Sequence, residues 1–146
     1  MPPVTRWTIR AAALNVLLGM ILWNVAGAFQ GQGASSLASA LHAPSLHLLV
    51  VGGLTQMVFG VAWWLFPVRS KDRGRGHPAL AWAAFGLLNV GCLSRVVGSL
   101  LVAYGNASAG RALLLVAAIT LPTAALVFAA MLGGRLRGPA SARARS

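Results

Sequence analysis

Four long apolar runs constrain the fold of this chain of 146 residues more than any other feature. They occupy residues 11–29, 48–66, 79–104 and 112–134. A helix that crosses the hydrocarbon core of a bilayer needs about 20 mostly apolar residues, and each run reaches that length or nearly so. Because lipid offers the backbone no hydrogen-bond partner, each single span must be helical. The sequence therefore predicts an all-α integral membrane protein, an up-down-up-down bundle of four transmembrane helices.

The composition supports this prediction and sets the domain boundaries. Apolar residues make up 58% of the chain and charged residues 9%, whereas charged residues are about a quarter of a soluble domain. We expect one transmembrane domain over residues 1–137 and a basic, disordered tail over 138–146. The predicted helices cover about 8–29, 46–66, 79–104 and 112–134, and the polar stretch 30–44 is predicted to connect the first two.

The charge distribution predicts the orientation. The net charge is +11, and Asp72 is the one acidic residue. Ten of the 12 basic residues lie in the predicted N-terminal, middle-loop and C-terminal segments, whereas the opposite side carries only Arg111. Basic residues stay on the cytoplasmic side, so both termini are expected in the cytoplasm of a bacterium, with the helices in its inner membrane. No basic face interleaved with aromatic residues exists, so we expect no nucleic-acid partner.

The first apolar run has a second interpretation, as a secretory signal peptide. Arg6 and Arg10 precede it, and Ala26-Gly27-Ala28 could form a cleavage site. The run is longer than the ~7–15 apolar residues of a signal peptide. A membrane-spanning helix is therefore favoured, and the sequence leaves open whether this segment is cleaved.

The residue inventory excludes several kinds of chemistry. The apolar runs contain no acid, which argues against proton-coupled cation export, and a single arginine does not make a voltage sensor. Cys92 is the one cysteine, so an intrachain disulfide is impossible. The three histidines have no metal-ligand spacing, and no nucleophile has an adjacent histidine and acid. We expect no enzymatic activity.

Arg95 is the first candidate functional residue. It lies about three residues from the middle of the third run, where a charge costs at least ~2.5 kcal/mol. One interpretation is that it extends to the outer headgroups, or bonds backbone carbonyls and Asn15 or Asn24. The other is an anionic partner: a heme propionate, a lipid headgroup or an acid of another subunit.

His47 is the second candidate, placed by the sequence at the outer start of the second helix. It is either a half-solvated interfacial histidine or a ligand. Gln56 lies about 180° from His47 at 100° per residue. Small and polar residues form two stripes that favour close helix packing. They are Gly52, Gly53, Gln56 and Gly60 in the second helix, and Gly91, Cys92, Arg95, Gly98 and Ser99 in the third.

The stretch from His47 to Pro67 resembles a helix of the heme-copper oxidase subunit I superfamily. The similarity is to the C-family oxidases, the nitric oxide reductases and small relatives such as the NnrS family. The shared pattern is a histidine at the helix start, a glycine five residues later, Met-x-x-Gly-x-x-(Tyr/Trp) and Leu-Phe-Pro. Here it reads His47, Gly52, Met57, Gly60, Trp63 or Trp64, and Leu65-Phe66-Pro67.

The resemblance covers the second and third helices and implies heme chemistry. It implies His47 as an axial ligand of one b-type heme and Arg95 as a contact of the heme propionates. Many relatives carry a His-x-His pair at the helix start, whereas here Ser45 precedes Leu46 and His47. One intramembrane histidine excludes a complete oxygen- or NO-reducing centre. A second ligand would have to come from a second copy, a partner subunit or a methionine such as Met20 or Met57.

These observations give three functional expectations. The first is a non-catalytic protein of a respiratory or denitrifying electron-transfer system, possessing one b-type heme and acting as a homo-oligomer or beside a partner membrane subunit. The second is a heme-free structural or assembly subunit. The third is a small transporter of an anionic or neutral solute, with Arg95 in its pathway.

Overall fold

The computed structural model describes residues 1–33, 35–65 and 78–136, and all regular structure in these ranges is helical. The elements are α1 (Pro3–Gly31), α2 (Ser35–His47), a π-helical segment (Leu48–Thr55), α3 (Gln56–Leu65), α4 (Pro78–Ala103) and α5 (Ala107–Leu136). Because α2, the π-helical segment and α3 follow one another without a break, they form a single helix from Ser35 to Leu65. We call it the second long helix.

Four of the described helices are therefore long and apolar enough to cross a membrane. They are Pro3–Gly31, Ser36–Leu65, Pro78–Ala103 and Ala107–Gly133. For the described ranges, the prediction of all-α structure with four such helices is confirmed. The predicted tail over 138–146 and most of the predicted middle loop lie outside the described residues.

The second long helix begins at Ser35, so the predicted start at residue 46 and the predicted loop over 30–44 are wrong. The only described break is a short turn with Gly33 at φ +79. The loop prediction relied on polar side chains and on Pro44. Serine hydroxyls can bond carbonyls of their own helix, as Ser39 does with Ser36 O and Ser45 with His42 O.

α1 and α5 also begin several residues before their predicted starts. α1 begins at Pro3 instead of residue 8, since proline is well suited to the first helical position, where no N–H is needed. α5 begins at Ala107 instead of residue 112, directly after a turn with Gly105 at φ +89. The predicted span of α4, 79–104, agrees with Pro78–Ala103 to within one residue at each end.

The bundle has a small core and an apolar exterior. α1 packs on the second long helix, α4 packs on α5, and α2 contacts α4. One buried cluster joins Leu48, Leu88, Cys92 and Ala124. Many large apolar side chains instead face outward, among them Ile119 at 66% exposure. Contiguous apolar surface of this kind is unusual for a soluble monomer.

Candidate functional site

A buried cluster of amide side chains joins three helices near the middle of the bundle. Nδ2 of Asn15 lies 3.1 Å from the Gly52 carbonyl oxygen, 3.3 Å from Oε1 of Gln56 and 3.2 Å from Oδ1 of Asn89. Asn15 belongs to α1, Gly52 and Gln56 to the second long helix, and Asn89 to α4. One NH₂ group therefore ties together three of the four long helices.

The same cluster is satisfied at its edges by backbone carbonyls. Nε2 of Gln56 donates to Thr8 O at 3.4 Å, and Nδ2 of Asn89 donates to Phe85 O at 2.8 Å. Gln56 is 1% exposed, and Asn15 is also buried. Because an unpaired buried amide costs free energy, these bonds are what allow three amide side chains in an apolar interior.

The π-helical segment lies directly against this cluster. The Gln56 N–H donates to Val51 O, five residues back, which is the hydrogen-bond spacing of a π-helix. The same N–H also donates to Gly53 O. The hydroxyl of Thr55 also reaches five residues back, to Val50 O at 2.9 Å. π-helical turns are rare and often occur at functional sites, which directs attention to the two residues at its ends, His47 and Gln56.

Glycines let α1 approach this segment closely, as the sequence predicted for the first small-residue stripe. A Cβ built on Gly52 would lie 2.9 Å from Asn15 Nδ2, and one on Gly53 would collide with Val16 Cγ2. A Cβ on Gly60 would lie 3.2 Å from Thr8 Cγ2. The stripe is therefore a helix contact.

His47 is the last residue of α2 and is half-buried. It lies twelve residues after Ser35, or about 18 Å along the helix at 1.5 Å per residue, so its predicted place at the helix start is wrong. Nδ1 of His47 lies 3.0 Å from Ala43 O. A carbonyl partner puts the proton on Nδ1 and leaves the lone pair of Nε2 for another group.

The predicted angle of 180° between His47 and Gln56 assumed a regular α-helix. It does not hold, because the π-helical segment separates the two residues and needs more residues for each turn.

Arg95 lies in the second half of α4 and is half-buried. Its Nε is buried and has no hydrogen-bond partner among the described residues. Neither predicted asparagine bonds it, since Asn15 is engaged by the amide cluster and Asn24 Nδ2 donates to Met20 O. The one acid of the chain, Asp72, lies outside the described ranges. Arg95 is thus a cation without an anionic side chain in the described bundle.

His42, the other histidine among the described residues, has a different environment. Its ring stacks on Trp23 of α1, with ring centroids 3.9 Å apart and planes tilted by 35°. Across the described parts of the chain, no three His, Cys, Asp or Glu side chains are grouped as a metal site. His42 is therefore a natural comparison for His47 in experiments.

The fit of the b-type heme implied by the resemblance can be compared with one cavity and two side chains of the described residues. The described interior cavity is lined by Thr8, Gln56, Trp63 and Phe128, among others, and has room for little more than a water molecule. His47 supplies an oriented imidazole, and the unpaired Nε of Arg95 suits an anionic group. A heme on His47 would therefore contact lipid or another subunit on its other side.

Sequence reasoning found His47, Arg95 and the glycines but missed the amide cluster. Asn89 was not singled out, and Asn15 entered only as a partner of Arg95. The available signal was that Asn15, Gln56 and Asn89 each interrupt an apolar run near its middle. Polar side chains at that depth commonly bond between helices.

No protein-family model, curated protein or solved structure is significantly similar to this chain.

Proposed function

We propose that the chain is a multi-pass protein of a bacterial inner membrane, with both termini in the cytoplasm. The four long apolar helices support the insertion. The ten basic residues of the two ends and the middle loop support the orientation.

Cysteine labelling tests this topology in a Cys92→Ala background. New cysteines at Ser36 and Ala107 should react with an impermeant maleimide added from the periplasmic side. Cysteines at Ser70 and Ser141 should react only after the membrane is opened. The reverse pattern would contradict the orientation.

For the activity, we propose a non-catalytic role in a respiratory or denitrifying electron-transfer system, with one b-type heme held by His47. The observation that carries this proposal is the bond between His47 Nδ1 and Ala43 O at 3.0 Å. Metal-binding histidines commonly donate their second ring nitrogen to a carbonyl, which fixes the tautomer and the ring direction. His47 has the same arrangement, since its Nδ1 lies within hydrogen-bond distance of the Ala43 carbonyl oxygen.

Arg95 completes the proposed site from the neighbouring helix. His47 lies before the middle of Ser36–Leu65 and Arg95 lies after the middle of Pro78–Ala103. Because successive helices of the proposed bundle run in opposite directions, both residues fall in its outer half. The guanidinium of Arg95, whose buried Nε has no hydrogen-bond partner among the described residues, would then neutralise a propionate, and the charge of that anion would lower the cost of the arginine.

The described residues also limit what the bound group can do. When bound, the heme would supply one-electron redox chemistry. His47 would bind and orient it, and Arg95 would hold its charge. Any further ligand would have to come from another copy of the chain, a partner subunit or a methionine, so the heme would belong to an intersubunit or lipid-facing surface.

An absorption spectrum of protein purified in mild detergent from heme-replete cells tests the proposal. We expect a Soret band in the native protein that is lost in His47→Ala. His42→Ala is the matched control, because His42 stacks on Trp23, and it should keep the band. Native protein without a Soret band, or a band that survives His47→Ala, would overturn the heme proposal.

A heme-free structural or assembly subunit is the second candidate function. The amide cluster favours it, because three helices are joined at mid-length without any need for a bound group. In that case Arg95→Leu should break an assembly with a partner that carries an acid, since a buried anion left unpaired costs several kcal/mol. Co-purification of native protein and of Arg95→Leu, compared on native gels, measures this.

A further inference from the structure

We infer that Asn15 is a positioning residue, whose side-chain amide holds the second long helix in its π-helical register and so fixes the direction of His47 relative to Gln56. The inference about the π-helical register depends only on the contacts of Asn15 and Val16 with Gly52 and Gly53. Its consequence for heme rests on the function proposed above.

The first step concerns the carbonyl oxygen of Gly52. In a regular α-helix this oxygen would accept the N–H of Gln56, four residues later. Here the Gln56 N–H donates instead to Val51 O and Gly53 O. Nδ2 of Asn15 donates to Gly52 O at 3.1 Å. The Asn15 side chain of α1 thus donates to the Gly52 carbonyl, which does not accept the Gln56 N–H.

The second step concerns the fit between α1 and this register. Two adjacent glycines face α1, with Asn15 against Gly52 and Val16 against Gly53. A shift of the helix by one residue is a rotation of about 100°. Such a shift would bring Val51 or Leu54 toward α1, where no space for a Cβ exists. Hydrogen bonding and shape therefore select the same register.

The third step is visible in the side of the helix that faces outward. Leu46, Val50, Leu54 and Val58 are 42%, 50%, 64% and 56% exposed. In an α-helix, residues four apart drift by about 40°, so the first and last of this row would differ by about 120°. A regular α-helix would therefore spread this row over about a third of its circumference. The π-helical turns keep this row of four aligned across the segment, and His47 lies at its outer end.

The row gives a test that does not involve heme. Nitroxide labels are placed singly at its four positions in Cys92→Ala protein, and collision with dissolved oxygen in a bilayer is measured by EPR. Native Asn15 should give high oxygen accessibility at all four. In Asn15→Leu the segment should relax to α-helix, and accessibility should be lost at Leu46 or at Val58. Asn24→Leu is the matched control, because Asn24 bonds only Met20 O of its own helix.

The same variants are then examined for heme. In Asn15→Leu the His47-dependent Soret band and its midpoint potential should shift, whereas both should be unchanged in Asn24→Leu. Should Asn15→Leu fail to fold, Asn15→Ala removes the same bond without added bulk beside Gly52. An unchanged row in the folded Asn15 variant overturns the inference, whether or not heme is present. A changed row in protein without a Soret band supports the inference and refutes the proposed heme.

Discussion

The two halves of the bundle use different means to hold helices together. α1 and the second long helix are joined by amide hydrogen bonds, with Asn15 and Gln56 at their centre. α4 and α5 form a hairpin around the turn at Gly105, and the threonines of α5 bond only their own helix, Thr120 to Val116 O and Thr123 to Ile119 O. One half is tied by polar side chains, and the other depends on shape.

The shape of the hairpin comes from glycines that bring the two backbones together. A Cβ built on Gly98 would lie 2.9 Å from Gly110 O, and a Cβ on Gly110 would lie 2.8 Å from Gly98 O. On Gly91 it would lie 2.6 Å from Leu121 Cδ2. In the membrane location proposed above, lipid would give no hydrophobic driving force between helices, so close packing and polar bonds would be the two means available.

This difference also concerns the positions of the candidate functional residues. The polar half offers Asn15 to Gly52 O, and the π-helical segment occurs there. His47 lies at the end of that segment, whereas Arg95 lies on α4, the helix that contacts both halves through Asn89 and α5.

The largest expected effect is in the hairpin. Gly98→Leu should separate α4 from α5, since its Cβ would meet the backbone oxygen of Gly110, which cannot give way. We expect a loss of about 3 kcal/mol or failure to fold, at the upper end of overpacking effects. Gly86→Leu is the matched control on the same helix, because nothing lies within 4 Å of its Cβ position. Unfolding in mixed micelles measures both, and equal stability of the two variants would refute the shape-based account of the hairpin.

An intermediate effect is expected in the polar half. Asn15→Leu should lower the free energy of unfolding by about 1–2 kcal/mol, because bonds between helices in lipid are individually modest. Asn24→Leu should change it little, since Asn24 is exposed and bonds its own helix. The same unfolding assay applies. A larger loss in Asn24→Leu than in Asn15→Leu would show that the polar tie has been assigned to the wrong residue.

The smallest effect is expected at Gly86. Gly86→Ala adds a Cβ in open space and should raise the stability of α4 by up to about 1 kcal/mol through helix propensity. Unfolding in bicelles at two protein concentrations measures it. Destabilisation that grows with protein concentration would mean that a second copy of the chain covers the face of α4 at Gly86. That result would show a glycine-mediated helix contact between chains, like the one between α4 and α5.

The apolar runs were sufficient to predict four helices but not where they end. Length and hydropathy define the part of a helix that lipid must cover. Outside that part, capping and small polar residues decide, as with Pro3 at the start of α1 and the serines of α2. The loop predicted over 30–44 failed for that reason.

The candidate site was predictable as a list of residues but not as an arrangement. His47 and Arg95 stand out because ionisable groups are rare in apolar runs. The amide cluster required knowledge of which helices are neighbours, since Asn15 and Asn89 are 74 positions apart. The π-helical segment could not be read from Leu48–Thr55, because its register depends on a donor from another helix.

A double-mutant cycle between Asn15 and Asn89 tests most directly whether the polar half is tied by side-chain hydrogen bonds. The cycle compares unfolding of Asn15→Ala, Asn89→Ala and the double variant in bicelles. We predict a favourable coupling of about 0.6–1.7 kcal/mol, the range for such bonds between membrane helices. The same cycle between Asn15 and Asn24 should be additive, because the two side chains share no partner. Additivity between Asn15 and Asn89 would contradict the account.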